Sequence, residues 1–365
     1  MSAATKAKGV AATPLCRIRL GGSAPHLSQM AAGFTLLGQM GLLRLEYAGL
    51  AAFKRDGLYM HGVMLEAQLG DTVLAYDLAD GYEDILQKDV FDGQLERVTF
   101  YFKRSYGPKF HEGMKNRRKM RPLGLNYYVT CPGNFMDARR AAPGCTPEEF
   151  MSHNSYPEYR GLFLTRLWNP DGVRACVIQK LHPHLNAGEA REIAGETAAQ
   201  FEHVNALRIG CIRACREALG ERFFGGLENS MFTQKVAPDL VLPATDTGKL
   251  AFLNRLKENY VCLSTEGLHG SVGWKMAEYC AAGRAILTDP PRCSLPGGFS
   301  CGRNYILYAT PEECVSQLTS LLNNVPGIHR MEAANFAYYN DYVRPDAMVL
   351  RTLREVWPAF PKDFA

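Results

Sequence analysis

The feature that most constrains the fold is a strand–loop–helix–strand unit in the second half of the chain. Residues 260–264 form an apolar run typical of a buried strand, and a glycine-rich loop follows them. The pattern then predicts a helix over residues 271–282, ended by Gly283, and a second strand over residues 285–288. A loop that joins a buried strand to a helix presents backbone N–H groups at the helix N-terminus, where anions bind.

Both halves of the chain alternate strands with helices. In the first half the pattern predicts strands over residues 16–20, 42–47, 72–76, 98–102 and 127–130, with a helix over 27–40. In the second half it predicts further strands over 162–168 and 305–308 and helices over 187–220, 250–259, 328–339 and 346–357, with another helix starting at Thr310. Such alternation predicts two sheets covered by helices, with a ligand site at the carboxyl ends of their strands, in the cleft between them.

The helix predicted over residues 271–282 has a polar stripe separate from its apolar face. At about 100° per residue, Ser271, Lys275 and Glu278 lie on one side. Gly270 and Gly273 would let a diphosphate approach the backbone, and Lys275 adds a positive charge. Because Glu278 can accept hydrogen bonds from a ribose diol, the stripe predicts a nucleoside diphosphate site. A surface helix with an i,i+3 Lys–Glu pair is the alternative interpretation.

Residues 278–287, Glu-Tyr-Cys-Ala-Ala-Gly-Arg-Ala-Ile-Leu, resemble the donor-binding motif of GT-B glycosyltransferases. In that family a glycine-rich loop leads into a helix that ends Glu-small-x-small-x-Gly before an apolar strand. The resemblance implies that Glu278 binds the donor ribose and that Arg166 lies against the donor diphosphate. It also implies that Gly21 and Gly22 belong to the loop that faces the donor across the cleft.

The fold implied by this resemblance is GT-B, with two Rossmann-like domains facing across a cleft. An N-terminal acceptor domain would span residues 1–157, a nucleotide-sugar-binding domain 158–340, and a helix in 341–365 would cross back to the first domain. The implied reaction moves a sugar from a nucleotide-diphosphate sugar to an acceptor hydroxyl, in bacterial surface glycan or related glycoconjugate synthesis. No other cofactor and no metal are expected, because GT-B enzymes generally let the helix dipole and basic side chains replace a divalent cation.

The stereochemistry of transfer stays open. Retaining members commonly carry a glutamate where this chain has Gly270, and many inverting members carry a histidine there, which here stands one place away at His269. An inverting transfer needs a base for the acceptor proton. Asp80 is the first candidate and Asp77 the second, because both follow the strand predicted over residues 72–76; an ordinary acidic turn is the alternative. His26 follows the glycine pair and is a candidate for contact with acceptor or donor.

Composition narrows the class of partner. The formal charge of +4 permits an anionic substrate but is far from that of a dedicated nucleic-acid binder. A basic cluster in the first half suggests a lipid-linked glycan or another anionic acceptor, a peripheral membrane contact or, less favoured, a nucleic acid, with a solvated face as the alternative: Lys109, Lys115, Arg117, Arg118, Lys119 and Arg121. Eleven cysteines without a Cys-x-x-Cys pair disfavour zinc and disulfides. Lacking an apolar run of signal-peptide or membrane-spanning length, the chain is expected in the cytoplasm.

Two other functions fit the same pattern. A GT-B-shaped epimerase would act on the nucleotide sugar itself and need no acceptor. A catalytically silent module of the same fold would dock an anionic polymer through the basic cluster. A Rossmann dehydrogenase is disfavoured, because Gly21 and Gly22 do not belong to a Gly-x-Gly-x-x-Gly pattern.

Overall fold

The computed structural model describes residues 13–48, 62–82, 88–137, 145–151, 158–181, 185–357 and 360. Within these ranges the strands form two sheets. The first contains β1 (Leu15–Leu20), β2 (Arg44–Ala48), β3 (Met64–Leu69), β4 (Thr72–Asp77), β5 (Phe100–Lys103) and β6 (Met120–Pro122) in the order β2-β1-β3-β4-β5-β6. The second contains β7 (Glu158–Thr165), β8 (Phe223–Leu227), β9 (Asn259–Ser264), β10 (Ala285–Thr288) and β11 (Ile306–Leu307) in the order β11-β10-β9-β7-β8.

Helices cover these sheets and connect their strands. They are α1 (Ser28–Gln39), α2 (Lys88–Gln94), α3 (Pro147–Phe150), α4 (Pro170–Leu181), α5 (Ala187–Leu219), α6 (Met231–Val236), α7 (Ala244–Thr247), α8 (Lys249–Glu258), α9 (Trp274–Ala281), α10 (Pro311–Leu322), α11 (Val325–Tyr338) and α12 (Pro345–Val356). The longest, α5, begins with a capping box in which the Asn186 side chain accepts from the backbone of Glu189 and the Glu189 carboxylate accepts from the backbone of Asn186. Within the described ranges, no helix is both long and apolar enough to cross a bilayer.

The two sheets differ in strand direction. All pairs in the second sheet are parallel. In the first sheet β3 runs antiparallel to both β1 and β4. Strand β3 is not predicted from the sequence. A hairpin signal between β3 and β4 is nevertheless present in Gly70, which has a φ of 57°, and Asp71. The predicted strand over residues 127–130 is wrong, since Val129 makes only an isolated bridge to Cys145.

The last helix returns to the first half of the chain. Helix α12 packs on α1, where a Cβ at Gly33 would stand 2.2 Å from the carbonyl oxygen of Pro345. The Tyr76 hydroxyl on β4 bonds that of Thr352 at 2.8 Å. Elsewhere between the halves, the Tyr127 and Tyr339 hydroxyls are 3.0 Å apart.

Two helix-covered sheets and a helix that crosses back give the GT-B arrangement expected from the sequence. The domain boundary predicted after residue 157 falls at residues 152–157, and the end of the returning segment at 361–365; both lie outside the described residues.

Candidate functional site

A cavity of about 570 Å³ lies between the two halves, at the carboxyl ends of β7 and β9. This is where parallel α/β sheets bind ligands. Seven of the residues predicted for the site line it: His26, Asp80, Arg166, Ser271, Gly273, Lys275 and Glu278. The others, Asp77, Gly21, Gly22 and Gly270, are not among the described residues that line it.

Cationic side chains gather at the second-half side of this cavity. Arg166 follows β7 directly and is exposed, and Lys275 lies in the first turn of α9. Arg208 reaches the same place from α5. In the described part of the chain, no carboxylate forms an ion pair with any of these three side chains. They are therefore available to balance the charge of an anionic ligand.

Arg208 fixes the ends of two neighbouring strands. Its guanidinium donates to the Thr265 hydroxyl at 2.8 Å and to the carbonyl oxygens of Arg166 at 2.7 Å and Glu266 at 3.3 Å. The guanidinium also lies 4.0 Å from the ring of Trp168. Only 5% of Arg208 is exposed, and burial lowers its pKa to about 10. The charge is thus held in a fixed position at the base of the cavity.

Lys275 is less exposed than the sequence suggested. Its ammonium group donates to the carbonyl oxygen of Leu164 at the end of β7. Burial, and then the charge of Arg208, lower the pKa of Lys275 to about 7. A lysine with this pKa carries its charge only part of the time at neutral pH, and a bound anion would restore it.

Helix α9 starts three residues later than predicted, so Ser271, Lys275 and Glu278 are not one helical stripe. Val272 makes a bridge with Glu266, which keeps the backbone extended, and Gly273 becomes the N-cap without a side-chain cap. Ser271 lies in the entry loop instead. The start of α9 still faces the cavity, because Gly273, Trp274 and Lys275 all line it.

Glu278 is buried in the wall of the cavity and does not point outward. It is 4% exposed, and its Oε1 accepts from the ammonium group of Lys249 at 2.6 Å. The Lys249 ammonium also lies 4.9 Å from the ring of Phe150. The carboxylate is therefore held in place by a partner on α8 that the sequence pattern does not reveal.

The first half contributes an ion pair and a histidine. Asp80 pairs with Arg104 at 2.7 Å, and the Arg104 guanidinium also donates across the cleft to the carbonyl oxygen of Val272 at 2.8 Å. The His26 ring packs edge-on against Trp274, with centroids 4.9 Å apart. Burial, followed by the charge of Arg104, lowers the pKa of His26 to about 4, while Asp80 raises it. His26 is thus neutral at physiological pH and offers a neutral imidazole to a ligand.

Asp77, the second candidate base, does not reach the cavity. It is 1% exposed, pairs with the fully buried Lys103 at 3.0 Å and accepts from the Tyr101 hydroxyl at 2.6 Å. Because β4 directs this side chain into the first-half core, its carboxylate is held in an internal network. Asp77 is a structural residue in this fold.

Three of the glycines predicted to surround the donor, Gly21, Gly22 and Gly270, lie outside the lining of the first cavity. A Cβ at Gly22 would stand 2.5 Å from the carbonyl oxygen of Gly62, so Gly22 permits a close approach of two backbone segments. The Gly21 N–H donates to Met64 at 2.8 Å. Gly270 has a φ of 69° and lines a second cavity together with His269.

The basic cluster of residues 109–121 is partly engaged in the first half. Lys115 pairs with Glu96 at 2.7 Å. Lys119 donates to the carbonyl oxygen of Glu96 at 3.1 Å. Arg121 pairs with Glu355 of α12 at 3.1 Å. Three of its six cations therefore have internal partners, and the cluster is a weaker anion site than its composition suggests.

Four buried polar atoms around the cavity have no hydrogen-bond partner among the described residues. They are Nδ1 of His26, Nε1 of Trp168, Oγ of Ser271 and Nε1 of Trp274. Buried polar groups in native proteins are nearly always partnered, so these four atoms are hydrogen-bonding groups that the cavity offers to a ligand. In the described residues, no three His, Cys, Asp or Glu side chains are grouped to hold a metal ion.

Arg208 and Arg104 are the functional candidates that the sequence prediction missed. Arg208 carries a detectable signal: it stands on the apolar stripe of α5, four residues from Val204 on one side and four from Ile212 on the other. A charge at that place must find partners at a buried surface. Arg104 has no such signal, since its role depends on the second half of the chain.

Comparison with known proteins gives similarities at the level of shape. No family model and no curated protein matches the sequence. The chain is similar to a putative UDP-N-acetylglucosamine 2-epimerase from Listeria monocytogenes, at 12% identity and a TM-score of 0.46 over 97% of this chain and 100% of the other. It is also similar to Anabaena HepE, solved with UDP and glucose, at 9% identity and a TM-score of 0.38 over 89% of each chain. A third is the pneumococcal O-GlcNAc transferase GtfA, solved with UDP and GlcNAc, at 11% identity and a TM-score of 0.37 over 77% of this chain and 51% of the other.

Proposed function

We propose that the chain is a glycosyltransferase that moves a sugar from a nucleotide-diphosphate sugar to an acceptor hydroxyl. The observation that carries the proposal is the group of cations at the carboxyl ends of β7 and β9, beside the start of α9. Arg166, Arg208 and Lys275 lie there without ion-pair partners in the described residues. Fixed positive charges and helix N–H groups suit a diphosphate, both as a bound group and as the leaving group of transfer.

The diphosphate would be held without a metal ion. Arg166 and Lys275 would contact the phosphate oxygens, and Arg208 would keep their backbone in place. Three cations and the N-terminus of α9 supply the positive charge that a divalent ion supplies at other phosphate sites. Full activity of metal-stripped protein in the presence of chelator supports this part, and complete loss that added magnesium restores would contradict it.

The ribose would be held by Glu278. Its carboxylate is fixed by Lys249 at 2.6 Å and lies on the same cavity wall as Lys275. A charged acceptor in a fixed position suits a pair of vicinal hydroxyls. The nucleoside would then lie on the α8 side of the cavity, near Phe252.

The acceptor proton would leave through Asp80, with His26 beside it. Asp80 is the base candidate from the sequence, and its carboxylate lies at the cavity in a pair with Arg104. His26 adds a neutral imidazole with an unpartnered Nδ1. Because its pKa is lowered to about 4, His26 is a weak base; it would hydrogen-bond the acceptor hydroxyl while Asp80 takes the proton. The proton moves from the acceptor oxygen to Asp80 as that oxygen bonds to the anomeric carbon, while the bond from this carbon to the nucleoside diphosphate breaks and the diphosphate leaves.

The first experiment is a screen of nucleotide sugars by thermal shift and by release of the nucleoside diphosphate. We expect one class of nucleotide to raise the melting temperature and its sugar to be released faster when an acceptor is added. Conversion of the sugar to its epimer without acceptor would instead identify the epimerase function. Polymer binding without any nucleotide effect would identify the non-catalytic module.

A further inference from the structure

A second cavity, of about 510 Å³, lies beside the first. The two cavities share loops. Asp80 lines the first and Gly81 the second, and Arg104 and Ser105 divide in the same way. In the loop after β9, Leu268 lines the first cavity and His269 the second. A molecule in the second cavity is therefore only one residue away from the Asp80–Arg104 pair.

A rigid aromatic surface forms part of the second cavity. The Tyr82 and Phe110 rings stack with centroids 4.0 Å apart and planes 15° apart. The Tyr82 hydroxyl accepts from the backbone of Gly107 at 2.8 Å and bonds Nε2 of His111 at 2.9 Å, which fixes its ring. The Lys103 ammonium lies 5.2 Å from the centre of the Tyr82 ring, and the Lys88 ammonium lies 5.6 Å from that of Phe110. The faces of the stacked pair are thus largely covered, and the pair offers the cavity apolar ring edges against which the C–H groups of a sugar can pack.

Uncharged polar groups complete this surface. Ser105 is 5% exposed, and its hydroxyl is buried without a partner among the described residues. The Gln200 side chain on α5 accepts from the backbone N–H of His269 at 3.1 Å, which orients its amide towards the same loop. Hydroxyl and amide groups both donate and accept, which matches the hydroxyls of a carbohydrate.

The second cavity carries no excess of positive charge. The Arg292 guanidinium is neutralised by Glu266 at 2.8 Å. Glu196 on α5 contributes a negative charge at the rim. Among the described residues that line this cavity, Arg292 is the only arginine or lysine, and it is paired, unlike the cations at the ends of β7 and β9.

We propose that the second cavity binds a neutral glycan acceptor, which packs against the Tyr82 and Phe110 rings and hydrogen-bonds to Ser105 and Gln200. This proposal rests on the proposed function and names its acceptor class. It replaces the anionic acceptor that the basic cluster suggested. The cavity is built from both halves, so the acceptor would bridge the loops after β4 and β5 and the helix α5.

The test is saturation-transfer NMR with a panel of neutral di- and trisaccharides and their carboxylated or phosphorylated counterparts, a method that detects millimolar binding. We expect transfer to ring C–H protons of neutral members and weaker transfer to anionic ones. Phe110→Ala should weaken the binding by about threefold to tenfold. Ser105→Ala should weaken it by a similar factor without lowering the melting temperature, since this hydroxyl has no hydrogen-bond partner among the described residues. Ser294→Ala, an exposed residue outside the lining, is the matched control.

Binding of anionic glycans alone, no binding of any neutral glycan, or binding that survives Ser105→Ala unchanged would overturn the proposal. Titration of uridine and guanosine diphosphates into the same samples separates this failure from that of the proposed function. If the diphosphates bind and the neutral glycans do not, only the acceptor assignment falls.

Discussion

The charged side chains on the two walls of the first cavity differ in how many of them form ion pairs. On the first-half wall, Asp80 is paired with Arg104, and below it Asp77 is paired with Lys103. On the second-half wall, Arg166, Arg208 and Lys275 have no ion-pair partner among the described residues, and burial lowers the pKa of two of them. The first wall is electrostatically complete, whereas the second holds these three cations beside the paired Glu278 and Lys249.

This difference suggests that the first-half pairs contribute mainly to folding and the second-half cations mainly to binding. Paired charges hold a structure in place, and unpaired buried charges lower its stability unless they serve a ligand. Substitutions on the first-half pairs below the cavity should therefore affect folding more than binding. Substitutions of the second-half cations should affect binding more than folding.

The largest effect is expected for Asp77→Asn. This change leaves Lys103, which is fully buried, without its carboxylate, and breaking a buried pair typically costs about 3–5 kcal/mol. Nucleotide affinity of the folded fraction should not change. Urea unfolding followed by nucleotide titration measures both quantities. Lower nucleotide affinity with wild-type stability would show that Asp77 belongs to the site after all.

Asp80→Asn should lower turnover on the order of a hundredfold while the donor dissociation constant stays the same, because proton transfer acts in the transition state. His26→Gln should have a comparable effect. If the two side chains act as a unit, the double variant should be little slower than either single one. Steady-state kinetics with a saturating donor tests this, and wild-type turnover in Asp80→Asn would remove the carboxylate from the mechanism.

A smaller effect is expected from pH. The pKa of Lys275 is lowered to about 7 from the usual 10.5 of a lysine, so the free protein loses this proton as pH rises through 7. A diphosphate binds the charged form better, so its affinity should fall at least about fivefold between pH 7 and pH 9. Binding at pH 8 should take up protons, which titration calorimetry in buffers of different ionisation enthalpy detects. A flat profile would contradict the assignment of Lys275.

Much of the second half could be predicted from the sequence, because its signals are local. Periodicity predicts α9 and β10, and Gly283 marks the end of α9. The capping box at Asn186 marks the start of α5. The first half is harder to predict. Strand β3 contains Glu66, which is buried and stabilised by a pair with Arg19 at 2.9 Å that no local pattern reveals.

Several of the predicted site residues line one cavity, but the sequence did not indicate their contacts. Lys275 and Glu278 line the cavity, yet their burial depends on Leu164 and Lys249, which are distant in sequence. Helix α9 starts later than predicted because Val272 forms a β-bridge with Glu266. Contacts of this kind arise from the tertiary fold, and helical periodicity carries no information about them.

We propose that the second-half cations bind a diphosphate. The most direct test of this proposal is calorimetric titration of wild type and Lys275→Met with a nucleoside diphosphate and with the bare nucleoside. The lost charged hydrogen bond is worth about 1.5–3 kcal/mol, so the variant should bind the diphosphate at least about tenfold more weakly and the nucleoside equally well. Its melting temperature should be equal to or above that of the wild type, since the side chain no longer buries an unpaired charge. Unchanged diphosphate affinity, or equal losses for nucleoside and diphosphate, would contradict the account.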